Sequence, residues 1–136
     1  MKIEKKAYKC DFHIHSCVSP CGDLFMSPRV IAEELLKRDI KIAALTDHNT
    51  SLNCPAFKIA CETLGIFPLF GMEAQSLEEV HCLCLFEDLK IAMDFSQEIY
   101  ELLPNIKNIP EKMGDQVFVN EEDEILGEVE KYLVIS

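Results

Sequence analysis

The chain has 136 residues and a formal net charge of −11, from 24 acidic and 13 basic residues. This length suits one domain, but it is short for a complete eight-stranded βα barrel, which usually needs about 200 residues or more. The acidic balance disfavours a broad nucleic-acid-binding face, because such a surface repels polyanions. Bound divalent metals would still attract a phosphate group locally.

The N-terminal residues, MKIEKKAYKCDFHIHS, contain lysines but lack the apolar core of a signal peptide. No stretch is apolar over the length that a bilayer requires. With an odd number of cysteines, we expect a cytoplasmic protein whose seven thiols are reduced. Since free cysteine is commonly buried, we expect most of them to be small core residues. Those expected in the core are Cys10, Cys54, Cys61, Cys82 and Cys84.

Alternation, apolar runs and capping residues predict a series of strands and helices over the first hundred residues. In chain order these are a strand at 8–15, a helix at 28–38, a strand at 40–46, a helix at 55–64, strands at 66–70 and 80–86, and a helix at 89–103. The apolar run at 40–46 indicates a strand buried on both faces, as in a parallel sheet. The βαβαβ order therefore predicts an α/β fold with a parallel sheet.

The last part of the chain has a different pattern. Residues 116–120 and 125–135 predict strands around the acidic turn at 121–124, hence a hairpin or β-rich extension. We expect residues 1–136 to form one domain. Residues 8–86 would carry the motifs, and 87–136 would add a helix and the hairpin.

Polar residues lie at the ends of the first three predicted strands. His13 and His15 are two apart on one strand face, so their Cα atoms lie roughly 6.5 to 7 Å apart. Two imidazoles at that spacing can converge on one metal with bonds of about 2 Å. The alternative is a pair of histidines hydrogen-bonded within a polar core.

Further candidates lie at later strand ends. Asp47 and His48 end the second strand, where burial is costly without partners, and the alternative for Asp47 is a cap for the turn at 49–51. Glu73 ends the third strand, and its carboxylate could bridge two metals. His81 would lie beside Glu73 if the fourth strand is antiparallel to the third. In the loop after the first strand, either Cys21 or Asp23 could reach a metal.

Five segments together resemble the PHP family, named for polymerase and histidinol phosphatase. They are Asp11-Phe12-His13-Ile14-His15-Ser16, Ser19-Pro20-Cys21-Gly22-Asp23-Leu24, Leu45-Thr46-Asp47-His48-Asn49, Gly71-Met72-Glu73 and Glu79-Val80-His81. Their order and spacing fit the first three motifs of the family over most of residues 8–86.

The resemblance implies a distorted βα barrel of about seven strands that binds two or three Zn, Mn or Fe ions and hydrolyses phosphoesters. It implies that His13, His15 and Glu73 hold one metal, and that Glu73 and His81 contribute to a second. His48 would serve a third metal beside Cys21, which would make that position softer and more zinc-like, or beside Asp23. We expect His48 and Glu73 to be the catalytic residues.

One departure from the family concerns its later ligands, a late histidine and an Asp-x-His near the end. This chain has four histidines and none after His81. We therefore expect the last part of the barrel to be absent from the sequence, and a homo-oligomer in which a second copy covers the open edge. The expected substrate is a small phosphoester or nucleotide-type molecule.

Two functions other than phosphoester hydrolysis would account for part of this pattern. An amidohydrolase-type barrel also has an HxH pair on its first strand, but it does not account for Thr46-Asp47-His48 or Gly71-Met72-Glu73. A structural zinc clip would use His13, His15, Cys17 and Cys21 with no open position.

Overall fold

The computed structural model describes residues 1–135, which form an open four-stranded sheet, four helices and a separate hairpin. The sheet order is β1-β2-β3-β4, and β5 and β6 form a second, two-stranded sheet. In chain order the elements are β1 (Cys10–Ile14), α1 (Pro28–Lys37), β2 (Ile42–Leu45), α2 (Cys54–Thr63), β3 (Phe67–Gln75), β4 (His81–Phe86), α3 (Leu89–Leu102), α4 (Pro110–Met113), β5 (Val117–Val119) and β6 (Ile125–Glu128).

The front of the chain has the predicted βαβαβ order. β2 pairs in parallel with β1 on one side and with β3 on the other. Its residues Ala43, Ala44 and Leu45 are fully buried, which confirms a strand covered on both faces. Since parallel strands point the same way, the residues after β1 and β2 emerge at the same edge of the sheet.

Local signals account for the helix starts. Ser27 caps α1, because its Oγ accepts a hydrogen bond from the Val30 N–H at 3.2 Å, and Pro28 occupies the first turn. Asp88 caps α3 in the same way through the Ile91 N–H at 3.0 Å. α1, α2 and α3 contribute buried residues to the main core, in which Phe57 and Phe70 are fully or almost fully buried.

The fourth strand departs from an all-parallel sheet, because β4 is antiparallel to β3. The third strand is also longer than predicted and continues to Gln75, so Glu73 lies within β3 and does not end it. The predicted end at Gly71 fails because pairing with β4 extends the strand. Glycine is needed there, since a Cβ at Gly71 would lie 1.8 Å from the Cys84 carbonyl oxygen.

The C-terminal part contains the predicted hairpin, but its second strand ends at Glu128 and does not reach residue 135. The following segment is held instead by buried side-chain amides. Gln116 Nε2 donates to the carbonyls of Val129 and Lys131, and Gln116 Oε1 accepts from the Leu133 N–H. Because Leu133 is fully buried, this segment packs into the domain and is not an appended extension.

The cysteines only partly follow the expectation. Cys54 and Cys61 are buried, but Cys10 and Cys82 are exposed and Cys84 is half-buried. Cys10 and Cys82 lie on β1 and β4, which are the edge strands of the sheet, and Cys21 in the loop after β1 is also exposed. All seven thiols are free, as expected. No helix within residues 1–135 combines the length and apolarity needed to cross a membrane.

Thiol labelling tests this distribution. Burial raises the pKa of Cys54 and of Cys61 to about 12, so both should resist iodoacetamide in the native protein. Cys10 and Cys82 should react first, and all seven should react after denaturation without reductant. Peptide mass spectrometry at successive times distinguishes these classes. Rapid native labelling of Cys54, or fewer than seven labels after denaturation, would contradict the described packing or the free thiols.

Candidate metal centre

The four histidines of the chain and Glu73 lie together at one edge of the sheet. β1 and the residue after it supply His13 and His15, and an isolated parallel bridge between His48 and Glu73 extends the β2–β3 pairing. The antiparallel register places His81 opposite Gln75, two residues beyond Glu73. Three strands and one bridge thus direct five polar side chains to one place.

The Glu73 carboxylate is the centre of this cluster. Its Oε2 atom lies 2.9 Å from His13 Nε2 and 2.7 Å from His15 Nε2, and its Oε1 atom lies 2.6 Å from His81 Nδ1. The carboxylate is 9% exposed, whereas the side chains of His13 and His81 are 52% and 45% exposed. The carboxylate therefore lies at the buried bottom of the site, and the imidazoles of His13 and His81 border its accessible side.

A second group of donors shares His15. The potential ligand atoms of His15, Cys21 and His48 lie within 4.8 Å of one another, as do those of His13, His15 and Glu73. Cys21 Sγ is 3.2 Å from His15 Nδ1. Asp23 is directed elsewhere, since its carboxylate accepts the Phe25 N–H. Of the two alternatives in this loop, the structure brings Cys21 to the cluster.

The electrostatics suit metal ligands. Burial raises the pKa of the Glu73 carboxyl group, but hydrogen bonds from His13 and His81 outweigh burial and lower it to about 2. Burial also lowers the pKa of His48, and the neighbouring His15 lowers it further, so the imidazole is neutral at pH 7. An ionised carboxylate and neutral imidazoles are the protonation states that bind metal.

One polar atom of the cluster indicates that a cation fits there. His48 Nδ1 is buried and has no hydrogen-bond partner among the described residues. It lies 3.7 Å from Glu73 Oε2, beyond hydrogen-bonding range. Nitrogen, carboxylate and thiol donors together match a transition-metal ion better than Mg or Ca.

Asp47 does not belong to either donor group, and it does not cap the following turn. It is buried and accepts hydrogen bonds from the Ser16 N–H, from Ser16 Oγ at 2.7 Å and from Ser19 Oγ at 2.7 Å. Sequence reasoning gave no role to these two serines. A signal was present, because two hydroxyl residues lie in the same short loop as Cys21.

The zinc clip loses one of its four donors. Cys17 is buried in a small apolar cluster with Val117 and Val119, and it belongs to neither donor group. Its sulfur accepts a long hydrogen bond from Asn53 Nδ2 at 3.5 Å. Burial raises the pKa of the Cys17 thiol, which disfavours the thiolate that zinc requires.

Metal content tests the central position of Glu73. Glu73→Gln should lower the metal retained after dialysis more than His13→Ala does, because Glu73 contacts three histidines and His13 belongs to one group. Elemental analysis of both variants and the wild type measures this.

Glu78→Gln is a matched control, since Glu78 lies on the exposed turn before β4. Its metal content should equal that of the wild type. Full metal retention in Glu73→Gln would remove Glu73 from the ligand set and would favour a site built on histidine and cysteine alone.

The chain is similar to known proteins at two levels, a family model and a solved structure. The family model described as the PHP domain matches residues 11–127. Among solved structures, the chain is similar to a candidate metal-dependent phosphoesterase from Bifidobacterium adolescentis, with 28% sequence identity and a TM-score of 0.48. That match covers 60% of this chain and 28% of the other, so the matched part spans less than a third of that protein. No curated protein gives a significant match. Because the family model covers most of the sequence, from β1 into β6, the chain belongs to the PHP domain family.

Proposed function

We propose that this chain carries the front part of a phosphoesterase centre that uses two or three divalent Zn, Mn or Fe ions. The observation that carries the proposal is the sharing of residues between donor groups. His15 belongs to both groups, and Glu73 also contacts His81. Groups that share a residue place neighbouring ions close together, as in two-metal phosphoester hydrolysis. Membership in the PHP family supports metal-dependent hydrolase chemistry in general.

The proposed ligands divide between the two donor groups. His13, His15 and Glu73 would hold one ion, and Cys21 and His48 would contribute to a neighbouring one, because one neutral imidazole ligates only one metal. His81 would complete the coordination around Glu73. When bound, the ions supply a Lewis acid for the phosphoryl oxygens and an activated water as nucleophile.

The protein's own residues supply orientation and access. Glu73 is held ionised among the imidazoles, so it remains an acceptor at neutral pH. The exposed sides of His13 and His81 border the accessible side of the cluster, where a small phosphoester would approach. A compact phosphoester also suits the net charge of −11, since a long polyanion would be repelled by the surrounding surface.

Hydrolysis of p-nitrophenyl phosphate tests this proposal. With Mn or Zn we expect slow, metal-dependent turnover, far below that of a longer family member. His15→Ala should reduce the rate by more than about 100-fold, since losing a group that merely supports a ligand already costs roughly 10- to 100-fold.

Asp94→Asn on the exposed side of α3 is the control and should keep the wild-type rate. Equal rates in His15→Ala and wild type would reject the proposed centre. Turnover of amide substrates in place of phosphoesters would indicate an amidohydrolase instead. A rate matching that of a longer relative would show that the residues of this chain suffice.

We also propose that the chain associates through its sheet edges. Within residues 1–135, β1 and β4 each pair on one side only, and Leu83 and Leu85 of β4 are 43% and 38% exposed. Unpaired edges with apolar side chains favour pairing with another chain. Light scattering should therefore show a dimer or a larger species, and a clean monomer across the micromolar range would reject this proposal.

A further inference from the structure

We propose that Asp47 is a positioning residue that shapes the donor group of His15, Cys21 and His48 before a metal binds. The inference rests on the proposed metal centre, but it assigns a role to a residue outside both donor groups. The buried carboxylate of Asp47 accepts hydrogen bonds from Ser16 and Ser19, and these two serines connect it to the backbone at or beside each of the three donors.

The first connection fixes His15. The Ser16 N–H donates to Asp47 Oδ1, and Ser16 Oγ donates to Asp47 Oδ2 at 2.7 Å. The Ser16 side chain is held further by Asn53 Nδ2, which donates to Ser16 Oγ at 2.9 Å. Since Ser16, Asp47 and Asn53 are all buried, water cannot replace these bonds without opening the loop.

The second connection fixes His48. Ser19 Oγ donates to Asp47 Oδ1 at 2.7 Å and accepts the His48 N–H at 3.0 Å. The Ser19 hydroxyl thus connects the Asp47 carboxylate to the backbone N–H of His48, which follows Asp47 in the sequence. The peptide between Asp47 and His48 is therefore constrained from both sides.

The third connection returns the loop to Cys21. The Ser19 N–H donates to the Ser16 carbonyl, and the Gly22 N–H donates to the Ser19 carbonyl at 2.8 Å, which winds the loop into consecutive turns. Gly22 permits this closeness, because a Cβ there would lie 2.3 Å from the Ser16 carbonyl oxygen. The turns bring Cys21 Sγ to 3.2 Å from His15 Nδ1.

Both carboxylate oxygens of Asp47 are already engaged in hydrogen bonds. Oδ1 accepts from the Ser16 N–H and from Ser19 Oγ, and Oδ2 accepts from Ser16 Oγ. Its effect on a metal would act through the backbone that it holds. Removing it should therefore weaken the Cys21-containing group while leaving every ligand atom in the chain.

Cobalt titration of the intact chain tests the inference without any measurement of hydrolysis. A cobalt–thiolate bond gives a near-ultraviolet charge-transfer band, which should appear in the wild type and be absent from Cys21→Ser. In Asp47→Asn and in Ser19→Ala, half-development of the band should need about 10- to 100-fold more cobalt, the range typical for groups that orient a ligand.

Gln116→Ala is the matched control, because Gln116 is also buried and makes several hydrogen bonds, but to the C-terminal segment. It should lower the melting temperature and leave the cobalt midpoint near the wild-type value. Circular dichroism establishes that each variant is folded. If Asp47→Asn does not fold, Ser19→Ala decides the question, since it removes one hydroxyl only.

Several results would overturn the inference. They are a wild-type cobalt midpoint in folded Asp47→Asn or Ser19→Ala, an equal weakening in Gln116→Ala, and a wild type without a thiolate band. A chain that shows the expected cobalt behaviour but hydrolyses no phosphoester would retain the positioning role and reject only the proposed function.

Discussion

The site depends on one electrostatic constraint, a buried carboxylate surrounded by imidazoles. Glu73 is 7% exposed, and a lone ionised carboxylate at such a position would be unfavourable. Hydrogen bonds from His13 and His15 to Oε2 and from His81 to Oε1 offset this cost. Because the acceptor lies within β3, other strands must deliver the donors, and here β1 and β4 do so.

The sheet topology satisfies this constraint with little chain. The parallel register of β1, β2 and β3 brings His15, His48 and Glu73 to one edge, and the antiparallel β4 returns immediately to present His81. His81 follows Glu73 by eight positions, whereas a parallel connection would need a dozen residues or more. The change of strand direction is thus what adds the fourth histidine to the cluster.

Much of this arrangement could be predicted from local patterns. Alternation in β1, the apolar run of β2 and the caps of α1 and α3 are encoded within a few residues each. The histidines and Glu73 were also predictable, because polar side chains at apolar strand ends are uncommon. The length of β3, the exposure of Cys10 and Cys82, and the choice of Cys21 over Asp23 were not. These three features depend on which strands are neighbours or on how a loop turns. Neither strand pairing nor loop conformation is encoded in a short stretch of sequence here.

The C-terminal segment also reaches the surroundings of the site, through contacts between residues that are far apart in the sequence. Asn49 Nδ2 donates to the Leu133 carbonyl at 2.7 Å, its Oδ1 accepts the Gln75 N–H, and its own N–H donates to the Glu73 carbonyl. The backbone beside the carboxylate is therefore linked to a residue 84 positions further along the chain than Asn49. Contacts of such separation carry a loop-closure cost and slow folding. During synthesis on the ribosome, the contact between Asn49 and Leu133 cannot close until residue 133 has been added and has left the exit tunnel, so the complete surroundings of the site cannot be assembled before then.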